Sequence, residues 1–209
     1  RSMRSTTTGE FNTAAGNDSL YSNDSGDYNT AIGMQALYSN VSADKNTAIG
    51  YDSLYSNTTG VSNVASGYKA LYANSTGGYN AAFGQEALAA NTTASSNTAI
   101  GYVAMAQNTT GSFNVALGRD SLAKNTTGAG SVAVGYQALL DTTTVTGLTA
   151  IGYQAAMGNT TAAGTVAVGY RSLMTNTTGS FNTAVGYDTL KLNTTGSSNS
   201  ALGYSALLA

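Results

Sequence analysis

Cysteine, histidine, proline and tryptophan are all missing from these 209 residues, and charge is scarce: eight Lys and Arg stand against ten Asp and Glu, for a net charge of -2. Each gap removes a class of function. Without cysteine there is no disulfide framework, and without cysteine or histidine the usual zinc, copper and non-haem iron sites lose their best ligands, so no cofactor is expected. Thinly spread charge cannot form the basic stripe with which a nucleic-acid binder displaces counterions, and nucleic acid is set aside. No apolar run approaches the roughly 20 residues that span a bilayer, and the opening RSMRSTTTGEF lacks the apolar centre of a signal peptide.

What is abundant is repetition. Stepping by 17 residues from Asn12 gives Asn29, Asn46, Asn63, Asn80, Asn97, Asn114, Ser131, Leu148, Thr165, Asn182 and Asn199, with no insertion or deletion. With these as position 1, position 3 is alanine and position 5 glycine in all twelve units, from Ala14 to Ala201 and from Gly16 to Gly203. Position 9 is leucine in ten of them, Met105 and Ala156 being the exceptions, and position 4 is mostly Ile, Val or Leu, so these two columns are expected to supply the core. The chain reads as one array: a partial unit 1–11, eleven full units over 12–198 and a partial unit 199–209. We expect it to be a window on a longer fibre.

A fixed short period marks a solenoid, in which each unit buries its apolar face only by stacking on the next. In NTAIGYDSLYSNTTGVS (46–62), NTAIGY alternates at strand spacing, DSL makes a bend carrying leucine, and YSNTTG holds turn formers. Glycine in every strand segment and NTTG in most turns leave no room for a helix pair. The expected fold is therefore all-β, a β-solenoid or β-roll of 17-residue coils. At about 4.8 Å per rung, twelve rungs would make a segment about 58 Å long.

Within a strand, positions 2, 4 and 6 face one way and 3 and 5 the other. Val115 and Leu117 can then face the coil's own interior, leaving the flat stripe of Ala99, Gly101, Ala116, Gly118, Ala133 and Gly135 where another backbone comes close. That backbone is either a second copy of the chain or the opposite wall of one narrow coil. The small core of a lone thin rod favours the copy, and with it a homo-oligomer.

Asn-x-Ser/Thr recurs in the turn at Asn23, Asn40, Asn57, Asn74, Asn91, Asn108, Asn125, Asn159, Asn176 and Asn193, with Thr142 the break and Asn17 a further match out of column. This is the N-glycosylation pattern. Turn chemistry alone accounts for most of it, because Asn tolerates left-handed backbone and Thr bonds locally. Tyrosine runs in columns at position 6 (Tyr51, Tyr68, Tyr102, Tyr136, Tyr153, Tyr170, Tyr187, Tyr204) and position 10 (Tyr21, Tyr38, Tyr55, Tyr72), which fits stacked aromatic ladders better than a sugar-binding strip. Threonines at position 2 are interrupted by Val64, Val115, Val132 and Val166, so a flat ice-matching hydroxyl face is not expected. Charges gather at position 7, as Asp52, Lys69 and Glu86, and read as a solvated column rather than a catalytic carboxylate pair. Serine has no histidine partner and GxxxxGK[ST] is absent, so no enzyme is expected.

NTAIGY, SVAVGY (131–136) and TVAVGY (165–170) resemble the SVAIG-type repeats of trimeric autotransporter adhesin heads, and the whole unit is similar to repeat arrays of phage tail fibres. The resemblance covers essentially the entire chain. It implies a parallel left-handed β-roll, three chains about one axis and a surface-exposed fibre concerned with attachment. The expected function is thus a structural segment of an extracellular fibre on a virion or cell surface, with itself as partner and a trimer favoured. The alternatives are an N-glycosylated self-assembling filament and a solenoid that binds cell-surface polysaccharide.

Overall fold

The computed structural model describes residues 2, 3 and 7–208. Among the described residues, twelve strands of three residues each, from β1 (Thr13–Ala15) to β12 (Ser200–Leu202), occupy positions 2 to 4 of successive units. All are parallel and pair in sequence order, each residue beside its equivalent 17 positions on, as Ala99 is beside Ala116. The chain is an all-β solenoid with one 17-residue unit per rung; rung 1 is residues 12–28 and rung 12 begins at Asn199. Among the described residues no helix is long and apolar enough to cross a membrane.

Outside the strands the backbone keeps bonding from rung to rung. Leu54 donates to Ala70 O at 3.0 Å, Ser56 to Tyr72 O at 3.1 Å and Thr58 to Ser75 O at 2.9 Å, all one rung forward. Gly50 and Asp52 donate one rung back, to the carbonyls of Ile32 and Met34. Between them the coil makes tight corners with left-handed residues, in rung 3 Asp52 (φ 54°), Leu54 (φ 51°) and Ser62 (φ 57°), and so in nearly every rung at positions 7, 9 and 17. A left-handed non-glycine residue costs about 1–2 kcal/mol, which the ladders on both sides offset. The corner has a use: left-handed residues on either side of position 8 turn the chain and bring the leucine of position 9 inside.

The interior has two halves. In the apolar half, between the end rungs, the alanines of position 3 from Ala31 to Ala184, the small residues of position 8 and Leu20, Leu37, Leu54, Leu71 and their equivalents to Leu173 are fully buried. Each buried leucine contributes about 1.5–3 kcal/mol. In the polar half, asparagines of positions 1 and 12 run side by side along the axis, buried from Asn23 to Asn182 and half-buried at the ends.

This overturns the expected sense of the strand. Ile32, Ile49, Ile100 and Ile151 of position 4 are 40–45% exposed, whereas Ala31, Ala48, Ala99 and Ala150 before them are at 0%. The physical reason is width. A coil closed in 17 residues has room for one large column, the leucine, so the wall opposite can offer only methyl groups and the larger position-4 side chains turn out.

Ala99, Ala116 and Ala133 are accordingly inside one chain and cannot form a surface for a second copy. Gly101, Gly118 and Gly135 do mark close backbone approach, but the backbone is the chain's own next rung: a Cβ on Gly118 would stand 2.6 Å from Gly135 O. The column also sits at φ from 120° to 142°, where side chains are strained whatever the space.

Candidate functional site

The surface is built of columns, and four of them carry chemistry. On the sheet face, position 4 lies beside position 6, where Tyr51, Tyr68, Tyr102, Tyr153 and Tyr187 are 41–45% exposed. Both columns are partly exposed and stand two residues apart in every rung, and they carry mostly Ile, Val, Leu and Tyr, an apolar strip along the array.

The tyrosines form ladders. In position 6, Tyr136, Tyr153, Tyr170, Tyr187 and Tyr204 stack with ring centroids 4.8–5.4 Å apart. Tyr21, Tyr38, Tyr55 and Tyr72 do the same in position 10, at 5.0–5.4 Å. Where Arg119 replaces tyrosine, its guanidinium lies 5.4 Å from the Tyr102 ring centre and 5.9 Å from that of Tyr136, so the stack continues through a cation. Ring faces are therefore spent on one another. Inside a stack the rings turn their edges outward, and faces without a ring partner are left at its ends, as at Tyr72 before Ala89.

Position 7 runs between the two ladders in rungs 3 and 4. Lys69 Nζ lies 5.4 Å and 5.2 Å from the ring centres of Tyr68 and Tyr72. Asp52, one rung before, is 6% exposed, and its Oδ1 has no hydrogen-bond partner. Burial pushes the Asp52 carboxyl above its ordinary value, and the Lys69 ammonium draws it partly back. Asp188, by contrast, is gripped by Arg171 through Nε and a terminal nitrogen at 2.9 and 2.8 Å.

A raised folded-state pKa means that the folded chain holds the proton more tightly than the unfolded one. The penalty from ionised Asp52 is full at neutral pH and vanishes below the unfolded value of about 4. Asp52→Asn should therefore raise the melting temperature at neutral pH, with the gain shrinking to nothing as the pH falls to about 4. Melts across that range decide it; a gain that ignores pH would reject the burial argument.

The NTT turn separates two residue types that the sequence pattern joins. Asn23, Asn40, Asn57, Asn74, Asn91, Asn108, Asn125, Asn159 and Asn176 are at most 1% exposed. Asn193 is half-buried. Asn74 Nδ2 donates to Asn57 Oδ1 at 2.9 Å and to Gly77 O at 2.9 Å, and Asn40, Asn57, Asn91, Asn108 and Asn125 repeat both bonds. The nitrogen that would carry a glycan thus faces the core with both hydrogens engaged. What the turn shows to solvent is the hydroxyl two residues on, as at Thr59, Thr76, Thr93 and Thr110. Asn17, on the sheet face, is the exposed match.

Sequence reading missed the second asparagine column. Asn46 Nδ2 donates to Gly60 O at 2.9 Å, and its Oδ1 accepts the Asn63 N–H at 2.9 Å, tying consecutive rungs. Its signal was present: asparagine at position 1 in nine units of twelve, eleven residues before the other asparagine, while outward columns vary freely. Among the described residues there is no cavity and no group of three side chains able to hold a metal ion. No family model, curated protein or solved structure matches this chain.

Proposed function

We propose that the chain is a structural, non-enzymatic segment of an extracellular fibre, and that copies of it associate along the outer sheet face. The apolar strip of positions 4 and 6 carries this reading. Partly exposed Ile and Tyr side chains recur along it from rung to rung, and an extended apolar surface rimmed by polar residues is where a partner docks. Its period is one rung, and a second copy lying parallel repeats that period along the whole length. The resemblance to adhesin heads and phage fibres favours three copies. Around the strip, ladders of asparagine, tyrosine and backbone tie each rung to the next, so load along the axis is shared among many equivalent bonds.

The test is the mass of the native particle. Native mass spectrometry and sedimentation should give a trimer, and Ile49, Ile100 and Ile151 all changed to Lys should give a monomer with unchanged circular dichroism, since these side chains stand outside the coil. A monomeric parent, or a lysine variant that stays associated, would reject the proposed interface.

A further inference from the structure

One turn differs from the rest. In rung 8, residues 131–147, the asparagine of position 12 is Thr142, the glycine or alanine of position 15 is Val145, and the next rung opens with Leu148 in place of asparagine. The apolar side keeps its order, because Val132 donates to Leu148 O at 2.8 Å and Leu139 to Ala155 O at 3.1 Å. The turn side does not.

In every other pair of rungs the N–H groups of positions 13 and 14 share the carbonyl of position 13 ahead, as Thr126 and Thr127 share Thr143 O at 2.7 and 3.3 Å. Thr143 and Thr144 make no such bonds to Thr160, and Gly164 makes none back to Thr146, although Gly147 and Phe181 make theirs. The side-chain ladder parts at the same place. Asn125 Oδ1, which an asparagine at 142 would have met, is buried without a donor, and Thr142 turns its hydroxyl to Asn159 O instead.

Size explains the gap. At Gly111 and Gly128 a Cβ would already stand 2.1–2.3 Å from the next rung's carbonyl. Alanine fits that column, since the rungs of Ala43, Ala94 and Ala162 keep the shared bonds of positions 13 and 14 to the rung ahead. The two methyl groups of Val145 ask for more, and the rungs part.

We propose that this turn, residues 141–147, is a proteolytic processing site at which the array is opened and cut. An endopeptidase needs several consecutive residues in extended form, which an intact rung holds back by bonds on both sides. Here Thr143, Thr144, Thr146 and Gly147 are exposed, and the backbone of 143, 144 and 146 lacks its bonds to rung 9, while Asp141 keeps its own to Met157 O. The run TTTVTGL has no basic or aromatic side chain, so the matching enzyme is one that accepts small, β-branched or aliphatic residues. The step is hydrolysis. Water adds across one peptide bond, the carbonyl side leaves as a carboxylate and the nitrogen as an amine that takes up a proton.

The experiment is limited digestion of the folded chain with a thermolysin-type endopeptidase, which cuts before Val, Leu and Ile; such residues occur in every rung, so sequence preference alone selects none. The first internal cut is expected before Val145 or Leu148. Restoring the turn with Thr142→Asn and Val145→Gly, which keeps Leu148 as a cleavable residue, should slow the cut before Leu148 at least about tenfold. A first internal cut in another rung, or equal rates in the two chains, would overturn the proposal. Should the restored chain fail to fold, hydrogen exchange of the parent decides: the amides of 143, 144 and 164 should exchange at least about tenfold faster than those of 109, 110 and 181, and equal protection overturns the proposal.

Discussion

Gly118→Ala should cost about 4 kcal/mol and split the melting transition of the array. Two effects add. At φ 132° a side chain is strained by about 1–3 kcal/mol, and the new Cβ would lie 2.6 and 2.8 Å from the carbonyl oxygen and carbon of Gly135, which are backbone and cannot rotate away. Relieving that contact means parting rungs 7 and 8. In a quasi-one-dimensional array each rung is stabilised by its neighbours, so a parted pair leaves two shorter blocks that melt separately. Gly111→Ala is the informative companion. Its Cβ would meet Gly128 O at 2.1 Å, a closer contact than the first. Yet Gly111 is not left-handed, and alanine already occupies its column, so the loss should be no more than about 1 kcal/mol. Similar losses in thermal or denaturant unfolding would show that contact distance, not backbone conformation, fixes the glycine column.

Asn91→Asp is expected to be as damaging, by about 4 kcal/mol at neutral pH, although the side chain keeps its size. Asn91 Nδ2 donates to Asn74 Oδ1 at 2.8 Å and to Ala94 O at 3.0 Å. The replacement puts an anion against two acceptor oxygens in a fully buried column. Only the bond from Asn108, 3.0 Å to the other oxygen, survives. Desolvation and the facing acceptors raise the carboxyl's folded-state pKa, so the loss is full well above that value and diminishes as the pH falls and a protonated carboxyl regains one donor. Denaturant unfolding at neutral and acidic pH measures both. A variant as stable as the parent at neutral pH would mean that the amides are reached by water and are not a sealed ladder.

The period, the single coil per unit and the burial of leucine were legible because each is a matter of spacing, and spacing survives in letters. Facing was harder. A three-residue strand such as Thr98–Ile100 alternates correctly whichever side is inside, and ordinary hydrophobicity favours Ile100 over Ala99. What decides is the width of a rung only 17 residues around, a property of the closed coil and not of the strand.

In the turn, which the residues themselves mark as a turn, the facing was hidden for a related reason. Asn-Thr-Thr looks like a surface motif because such motifs are defined on flexible chains, whereas here the backbone turns the amide in and the hydroxyl out. Left-handed backbone at Leu54, Lys69 or Phe113 had no signal, since those residues are not the ones that favour it. Rung-to-rung bonds impose that conformation against local preference. Between rungs 8 and 9 the substitutions at 142, 145 and 148 look like unrelated noise in three columns, and only the closed coil puts them at one joint.

The unbroken 17-residue step has a consequence for how such a chain changes over generations. Because every rung meets its neighbours through the same columns, loss of one whole unit from the gene, rung 5 for instance, would set rung 4 against rung 6 with Asn74 facing Asn108, Leu71 beside Met105 and Gly67 over Gly101. No loop would need rebuilding. Length can then drift in steps of one rung by unequal exchange between near-identical stretches of coding sequence, while insertions or deletions of any other size throw every column out of line. Loss of rung 8 would even mend the array, since it would set Asn125 facing Asn159 and remove Thr142 and Val145 together.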